Sequence, residues 1–243
     1  MENYSENNAW AGNVAERDLQ VIKSAQATLM RSVYLWMTLA LAITGFASFV
    51  VASSPMLLQA VFGNRLVFWG LIIAEFALVV MLSARIHKMT APTATMMFIV
   101  YSLLNGVVLS SIFLLYTAQS IANVFFITAG TFGVMSVYGM VTKSDLSKIG
   151  NICFMALIGI IIATVVNMFL KSEGMMLVIS YIGVLIFVGL TAYDTWKIKN
   201  DIRQYGTEVN DMTQKLALMG ALSLYLDFVN LFLYLLRIFG NRK

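Results

Sequence analysis

The sequence predicts an all-α membrane protein, a bundle of seven transmembrane helices with the C-terminal helix at its centre. Of the 243 residues, 60% are hydrophobic and 12% are charged, whereas an average soluble domain is about 45–50% apolar and about 25% charged. Seven runs stay apolar over about the 20 residues that a helix needs to cross a hydrocarbon core. The two prolines, Pro55 and Pro92, fall between those runs, where they interrupt no helix.

The elements follow in order from these runs. Residues 1–30 are polar, with Ala15, Leu19 and Ile22 at helical spacing, which predicts a cytoplasmic segment containing an interfacial helix. Residues 31–243 then form the seven-helix transmembrane domain. We place its spans near residues 32–53, 66–84, 94–116, 120–141, 149–170, 175–194 and 214–237. Glycines within the spans are expected to permit close helix approach, and these are Gly106, Gly133, Gly159 and Gly183.

Lysines and arginines set the predicted orientation. With seven spans, 11 of the 16 basic residues fall on the side of the N-terminal segment and 5 on the other. The positive-inside rule therefore puts the N-terminus in the cytoplasm. The short N-terminal segment, without a sorting extension, suggests a multi-pass protein of the bacterial cytoplasmic (inner) membrane. The net charge of +4 is spread over single or paired residues between apolar runs, so the expected partner is the lipid bilayer and not nucleic acid.

Three carboxylates lie within or at the end of apolar spans. They are Glu75 in the second span, Asp194 at the cytoplasmic end of the sixth, and Asp227 inside the seventh. An ionisable group near the middle of a span costs about 2.5–3.5 kcal/mol on insertion scales, so each is a candidate functional residue. Glu75 is equally consistent with a pore-lining group and with a buried, protonated acid.

Polar residues form one stripe along the seventh span, because their spacing of 4, 3, 4 and 3 keeps them on one helix face. The stripe consists of Ser223, Asp227, Asn230, Tyr234 and Arg237, and Gly220 continues it toward the N-terminal end. Such a helix is expected to sit centrally, with its polar face toward a hydrated path. The alternative is a simple helix-packing interface, but packing needs no charged residue such as Asp227.

Asp194 continues a weaker stripe of Ser180, Gly183 and Thr191 on the sixth span, and it is followed by a polar segment expected to be a cytoplasmic loop. A solvated interfacial acid is therefore the alternative reading of Asp194. Arg85 ends the second span on the same side of the membrane. It could pair with Asp194 as part of a gate, or serve as an ordinary positive-inside anchor.

Two segments carry a family resemblance. The run ALSLYLDFVNLFLYLLRIFG, from Ala221 to Gly240, closely resembles the signature last helix of the Bax inhibitor-1 family, the transmembrane Bax-inhibitor-motif proteins. LTAYDTWKI, from Leu190 to Ile198, resembles the pattern that ends the family's sixth helix. The resemblance implies a pH-sensitive calcium leak in which Asp194 and Asp227 form a hydrogen-bonded proton sensor. It also implies a basic residue at the end of the second helix, for which Arg85 is the nearest candidate.

Elementary electrostatics agrees with that implication. Two carboxyls at hydrogen-bond distance in a low dielectric tend to share one proton. Loss of that proton as the pH rises leaves two like charges that repel, which can open a path and expose hard oxygen ligands suited to calcium. Asp194 and Asp227 are thus possible transient calcium ligands, with calcium and protons as the ionic partners. We expect no cofactor and no enzymatic activity.

Other functions use similar residues. A proton-coupled cation transporter or exchanger could use the same aspartate pair, and stoichiometric proton counter-flow would distinguish it from a leak. An intramembrane aspartyl protease also needs two aspartates, and Tyr193-Asp194 fits one half of its pattern. Its other half is a Gly-x-Gly-Asp run, whereas Asp227 follows Leu224, Tyr225 and Leu226. A scaffold that acts only through its loops would need neither aspartate.

Overall fold

The fold is known from a computed structural model, which describes the backbone of residues 2–243 and the side chains of residues 19–86 and 88–243. The helices of this described backbone are α1 (Glu2–Ser53), α2 (Pro55–Phe62), α3 (Arg65–Arg85), α4 (Ala91–Leu109), α5 (Ser111–Leu115), α6 (Ala118–Val141), α7 (Ser147–Leu170), α8 (Glu173–Tyr205) and α9 (Asp211–Phe239). A 3₁₀ turn, Ile86–Lys88, follows α3. Seven segments are long and apolar enough to cross a membrane, with α4 and α5 together forming the third. The seven predicted spans are confirmed.

Short polar caps separate the spans. Ser54 and Thr90 each accept a hydrogen bond from a backbone N–H in the first turn of the next helix, and a proline lies within that turn. Prolines are tolerated there because the first N–H groups have no partner within the helix. Asn210 and Thr213 form a reciprocal capping box that starts α9. The connections are thus built from residues that end one helix and begin the next within a few positions.

Helix α9 occupies the centre of the bundle and contacts α1, α4, α6 and α8. Its apolar faces are buried, with Leu224 and Leu231 fully inaccessible. Its C-terminal end reaches the connection between α5 and α6, where the Asn241 N–H donates to Ser120 Oγ at 2.9 Å and the Lys243 N–H donates to the Leu115 carbonyl at 3.0 Å. The last helix therefore runs through the whole bundle, as the fold-class prediction requires.

Helix α8 corrects one sequence expectation. The predicted sixth span ends at residue 194, followed by a loop, but α8 continues for three more turns to Tyr205. It continues because Thr195, Ile198 and Ile202 recur on one face and are buried against the bundle, while the charged residues of this segment lie on its other faces. Asp194 is consequently a mid-helix residue, held in a fixed orientation by the turns on both sides.

The glycine prediction is half right. A β-carbon on Gly106 would lie 2.8 Å from Ala47 Cβ, and one on Gly183 would lie 2.7 Å from the Tyr234 ring. These two positions allow α4 to approach α1 and α8 to approach α9 closely. Gly133 and Gly159 have no atom within 4 Å of that position, because they lie on surfaces away from neighbouring helices.

The periphery of the bundle differs from its centre. In α3 the side chain of Leu82 is buried, and most of the others face outward, as expected for a helix in contact with lipid. At the start of the bundle, Leu29 is buried and the Gln26 side chain donates to the Arg203 carbonyl at 3.3 Å. The end of the 1–30 segment thus packs against α8, and its interfacial position stays a prediction.

Candidate functional site

A cavity of about 530 Å³ opens beside the connection between α8 and α9, at the end of the bundle predicted to be cytoplasmic. Its outer wall carries charged and polar residues, and its inner end reaches Asp194, Gly220 and Ser223. The lining residues are Ile86, Asp194, Lys197, Ile198, Asp201, Tyr205, Met212, Thr213, Lys215, Leu216, Met219, Gly220 and Ser223. The cavity therefore leads from the surface toward the polar stripe of α9.

Asp227 lies beyond the inner end of this cavity. It is one helical turn past Ser223, about 6 Å along the α9 axis, and its side chain is only 4% exposed. Its Oδ2 atom has no hydrogen-bond partner among the described residues. A buried carboxyl oxygen without a partner carries a large desolvation cost, so Asp227 is the least satisfied acid of the described bundle.

Asp194 is half-buried in the wall of this cavity, which residues of α8 and α9 line. The carboxyls of Asp194 and Asp227 lie near enough for their charges to interact, but no hydrogen bond joins them among the described contacts, and the expected hydrogen-bonded pair is not formed in this structure. Lys197, which also lines the cavity, lies near enough to Asp194 for its positive charge to act on that carboxyl. The structure thus brings both predicted aspartates to the α8–α9 interface, one at the cavity and one just beyond it.

Residues of the α9 stripe contact α8 both before and after Asp227 along the helix. Gly220 packs against the side chain of Ile198 on the cavity side. On the far side, the Tyr234 ring covers Gly183 and lies 5.9 Å from the Phe187 ring. The path along the stripe is therefore accessible from the cavity and covered by aromatic rings beyond Asp227.

The other predicted stripe residues have separate environments. The Asn230 side chain donates to the Leu226 carbonyl of its own helix at 2.8 Å, so this bond does not join two helices. Arg237 is exposed at the end of α9, with its guanidinium carbon 6.0 Å from the centre of the Tyr234 ring. Two residues of the predicted stripe, Gly220 and Ser223, line the cavity. Tyr234 covers the stripe on the other side of Asp227, toward the far end of the bundle.

Arg85 does not reach Asp194 in this structure. It is exposed at the end of α3, and the next residue, Ile86, is the one that lines the cavity. The single ion pair among the described side chains joins Lys215 to Asp211 at 2.9 Å. The expected contact fails because the turn at Ile86 directs the apolar side chain inward and Arg85 outward; a role for Arg85 in another state stays a prediction.

Glu75 lies elsewhere, in a network on the opposite side of α9. Its carboxylate accepts a hydrogen bond from the Asn105 amide. The Asn105 oxygen in turn accepts from the Tyr225 hydroxyl at 3.1 Å, and Tyr225 lies 2.7 Å from the Thr44 hydroxyl. This Glu75 network joins α3, α4, α9 and α1, and it does not contact the aspartate pair.

The aspartate pair does not resemble a tight metal site. Among the described residues, no group of three or more His, Cys, Asp or Glu side chains lies together. Calcium takes six to eight oxygen ligands, of which two carboxylates supply only part. The role of Asp194 and Asp227 as transient calcium ligands stays a prediction.

Similarity to known proteins identifies the family. Residues 26–243 match the family described as inhibitor of apoptosis-promoting Bax1. The chain belongs to this family. It is 55% identical over 216 residues to the inner membrane protein YbhL of Escherichia coli K12, which covers 89% of this chain and 92% of that protein. It is also 44% identical over 216 residues to an uncharacterized protein of Borreliella burgdorferi, covering 88% of this chain and 92% of that protein.

The match includes every predicted site residue, from Glu75 to Arg237. Together with the seven apolar helices, it identifies an integral, multi-pass protein of the bacterial inner membrane. The family resemblance inferred from the last helix and from the Asp194 segment is confirmed.

Sequence reasoning missed most of the cavity wall. Lys197 and Lys215 entered only the count of basic residues that set the orientation, and Asp201 was not singled out, because the segment after Asp194 was expected to be a loop. The helical spacing of Thr195, Ile198 and Ile202 was the signal that could have extended α8. The Glu75 network was also missed, although Asn105 stands out as a polar residue within an apolar run.

Proposed function

We propose that this protein is a pH-sensitive calcium leak channel of the inner membrane, gated by Asp194 and Asp227. The observation that carries the proposal is the position of Asp227. It is a buried carboxyl with an unpartnered oxygen among the described residues, one turn beyond a cavity whose wall contains Asp194. Stability alone gives no reason for an acid there, since an apolar residue would avoid its desolvation cost.

Protonation supplies the gate. With one proton bound to the pair of carboxyls, α8 and α9 carry a single negative charge at their interface and can remain in contact. Release of the proton leaves two negative charges on helices packed against each other. Their repulsion favours separation of the two helices along the stripe, so the open state is favoured as the pH rises.

Calcium fits the chemistry of the opened stripe. Carboxylate oxygens are hard ligands that calcium accepts in flexible geometry, and Ser223 adds a hydroxyl oxygen at the end of the cavity. A pair of acids binds weakly enough for a cation to leave again, which conduction requires. The resemblance to the Bax inhibitor-1 family supports calcium as the permeating ion.

Tyr234 provides the second part of the gate. Because its ring lies over Gly183 and beside Phe187, it closes the stripe between Asp227 and the far end of the bundle. Separation of α8 from α9 would withdraw Gly183 from this ring. The same movement that follows deprotonation would thus uncover the far side of the path.

Flux measurements test this mechanism. Calcium entry into dye-loaded proteoliposomes is measured across a pH series for the wild type, Asp194→Asn and Asp227→Asn. We expect the wild-type rate to increase with pH and the two variants to lose most of that dependence, because an amide cannot release the proton. Glu173→Gln, which removes an exposed acid at the opposite end, is the control and should keep the wild-type profile. Wild-type pH profiles in both asparagine variants would exclude the pair from the gate.

A proton-coupled cation exchanger is the second candidate, favoured because the described cavity reaches the pair from one end of the bundle while Tyr234 covers the stripe on the other side. Exchangers expose a central site to each side in turn. Calcium and proton fluxes are recorded together in the same vesicles. Movement of protons against calcium in a fixed ratio, with calcium driven uphill by an imposed pH gradient, would favour the exchanger over the leak.

A further inference from the structure

A second, basic pocket lies away from the aspartate pair, at the same end of the bundle. Its volume is about 390 Å³, and it is formed by the end of α6, the connection to α7, and the last turns of α8. Three cationic residues line it, Lys143, Lys199 and Arg203, together with one acid, Asp145. Sites for small molecules are typically about 300–1,000 Å³, so the pocket is large enough for a polar headgroup.

Lys199 provides a fixed positive charge in this pocket. Its ammonium group donates to the carbonyls of Gly139 at 3.3 Å, Met140 at 3.0 Å and Thr142 at 3.0 Å. These bonds use all three of its donors and offset the partial negative charge at the C-terminal end of α6. Lys199 therefore holds the end of α6 to α8 and keeps the pocket positive.

Lys143 and Arg203 have donors to offer a ligand. Both side chains are exposed, and no described carboxylate lies within 4 Å of either. Asp145 accepts a hydrogen bond from the Ser147 N–H at 2.8 Å. Hydrogen bonding to Ser147, helped by the charge of nearby Lys148, lowers the pKa of Asp145, so this acid is ionised at neutral pH and reduces the pocket charge to about +2.

The surroundings of the pocket match the interface of a membrane. Trp196 lines it and stacks against Tyr193 with ring centres 6.1 Å apart, and aromatic residues of this kind are enriched where the bilayer meets water. On the side toward the membrane interior, Val137, Tyr138 and Val141 of α6 present exposed apolar surface. A ligand that fits both parts has an anionic head and a hydrocarbon tail.

We propose that this pocket binds the headgroup of an anionic phospholipid of the inner leaflet, with its acyl chains along the outer surface of α6. The phosphate would lie between the Arg203 guanidinium and the Lys143 ammonium, since guanidinium groups bind phosphate with two parallel hydrogen bonds. Basic pockets between transmembrane helices on the cytoplasmic side recognise lipid headgroups in this way. The lipid would also hold the end of α6 against α8, the helix that carries Asp194.

Native mass spectrometry of the full chain in detergent tests the site. Phosphatidylglycerol, phosphatidylethanolamine with the same acyl chains, and soluble glycerol 3-phosphate are titrated separately. We expect phosphatidylglycerol to bind at the lowest concentration. In Lys143→Gln/Arg203→Gln its half-saturating concentration should rise about tenfold or more, because each basic residue near an anionic headgroup contributes severalfold to affinity.

The control is Arg85→Gln/Lys88→Gln, which removes one exposed arginine and one exposed lysine from the same side of the membrane, neither of which lines the pocket. It should keep wild-type affinity for phosphatidylglycerol. An equal loss in this control would show attraction to net charge and contradict the site. Equal binding of phosphatidylethanolamine, or of glycerol 3-phosphate, would contradict it as well, the latter by indicating a site for free phosphate. No calcium flux enters the measurement, so its outcome is separate from that of the channel proposal.

Discussion

Helices α9 and α3 each carry one acid within an apolar span, and the two acids have opposite environments. Asp227 of α9 is enclosed at the centre of the bundle, and its Oδ2 has no partner among the described residues. Glu75 lies on the peripheral helix α3, yet its carboxylate accepts a hydrogen bond from Asn105. The more deeply buried acid is thus the less satisfied one, which is the reverse of what stability alone would select.

The central helix separates these two environments by its own geometry. Tyr225 and Asp227 are two residues apart, so their side chains point about 200° apart around α9. Tyr225 is completely buried and joins Thr44 and Asn105 on one side, while Asp227 faces α8 on the other. One face of α9 therefore fixes the helix in the bundle, and the opposite face holds a buried carboxyl with an unpartnered oxygen among the described residues.

The largest effect that we expect comes from breaking the Glu75 network. Asn105→Leu removes the donor to Glu75 and the acceptor for the Tyr225 hydroxyl. Tyr225 can still bond to Thr44, so the main loss is a partner for the half-buried Glu75 carboxylate. We expect the free energy of unfolding to fall by about 2 kcal/mol, within the range of about 1–3 kcal/mol for an orphaned polar group. Unfolding by sodium dodecyl sulfate titration in mixed micelles measures it.

Asn123→Leu is the matched control for that substitution. Asn123 is exposed on α6, where its side chain accepts from Gln119 at 3.0 Å. Surface substitutions of this kind change stability by about 0.5 kcal/mol or less. If both leucine variants lose the same stability, the Glu75 network does not hold the helices together, and the contrast between the two faces of α9 disappears.

A smaller loss of stability is expected at the α8–α9 interface. In Gly183→Ala the new β-carbon would lie 2.7 Å from the Tyr234 ring, so the ring must shift. Overpacking costs about 1–3 kcal/mol, and we expect about 1 kcal/mol because a half-buried ring can move. Because the shifted ring no longer covers the stripe, calcium flux at low pH should also rise. Gly159→Ala, with open space at the same position, is the control and should leave both quantities near wild type.

The sequence was sufficient for the fold and for half of the site. Apolar runs predict spans because lipid requires them, and the spacing of polar residues in α9 predicts one polar face, two residues of which line the cavity beside α8. The predicted end of the sixth span was wrong, because α8 continues beyond its apolar run. The segment after Asp194 is polar, yet α8 continues through it on the buried face of Thr195, Ile198 and Ile202. Four residues of this extension line the cavity that leads to the aspartates: Lys197, Ile198, Asp201 and Tyr205.

Pairing between distant helices was beyond sequence reasoning for a different reason. Asn105 and Tyr225 are 120 positions apart and meet only because α4 and α9 pack side by side. A lone asparagine in an apolar run predicts a polar contact, but its partner depends on helix order and rotation. Tyr225 is accordingly absent from the predicted polar stripe, although its hydroxyl donates to Asn105 and lies 2.7 Å from the Thr44 hydroxyl.

The smallest effect is expected from Glu75→Gln. Glutamine keeps a side-chain oxygen that can accept the hydrogen bond from Asn105, so the free energy of unfolding should change by about 0.5 kcal/mol or less. The pH at half-maximal calcium flux should also stay at its wild-type value, because the Glu75 network lies across α9 from the aspartate pair. Glu75→Gln is reconstituted and measured in the same way as Asp227→Asn, so the two acids are compared directly. A loss of pH dependence in Glu75→Gln as large as that in Asp227→Asn would show that both acids control the same gate, and Tyr225 would then connect two proton sites across the central helix instead of separating them.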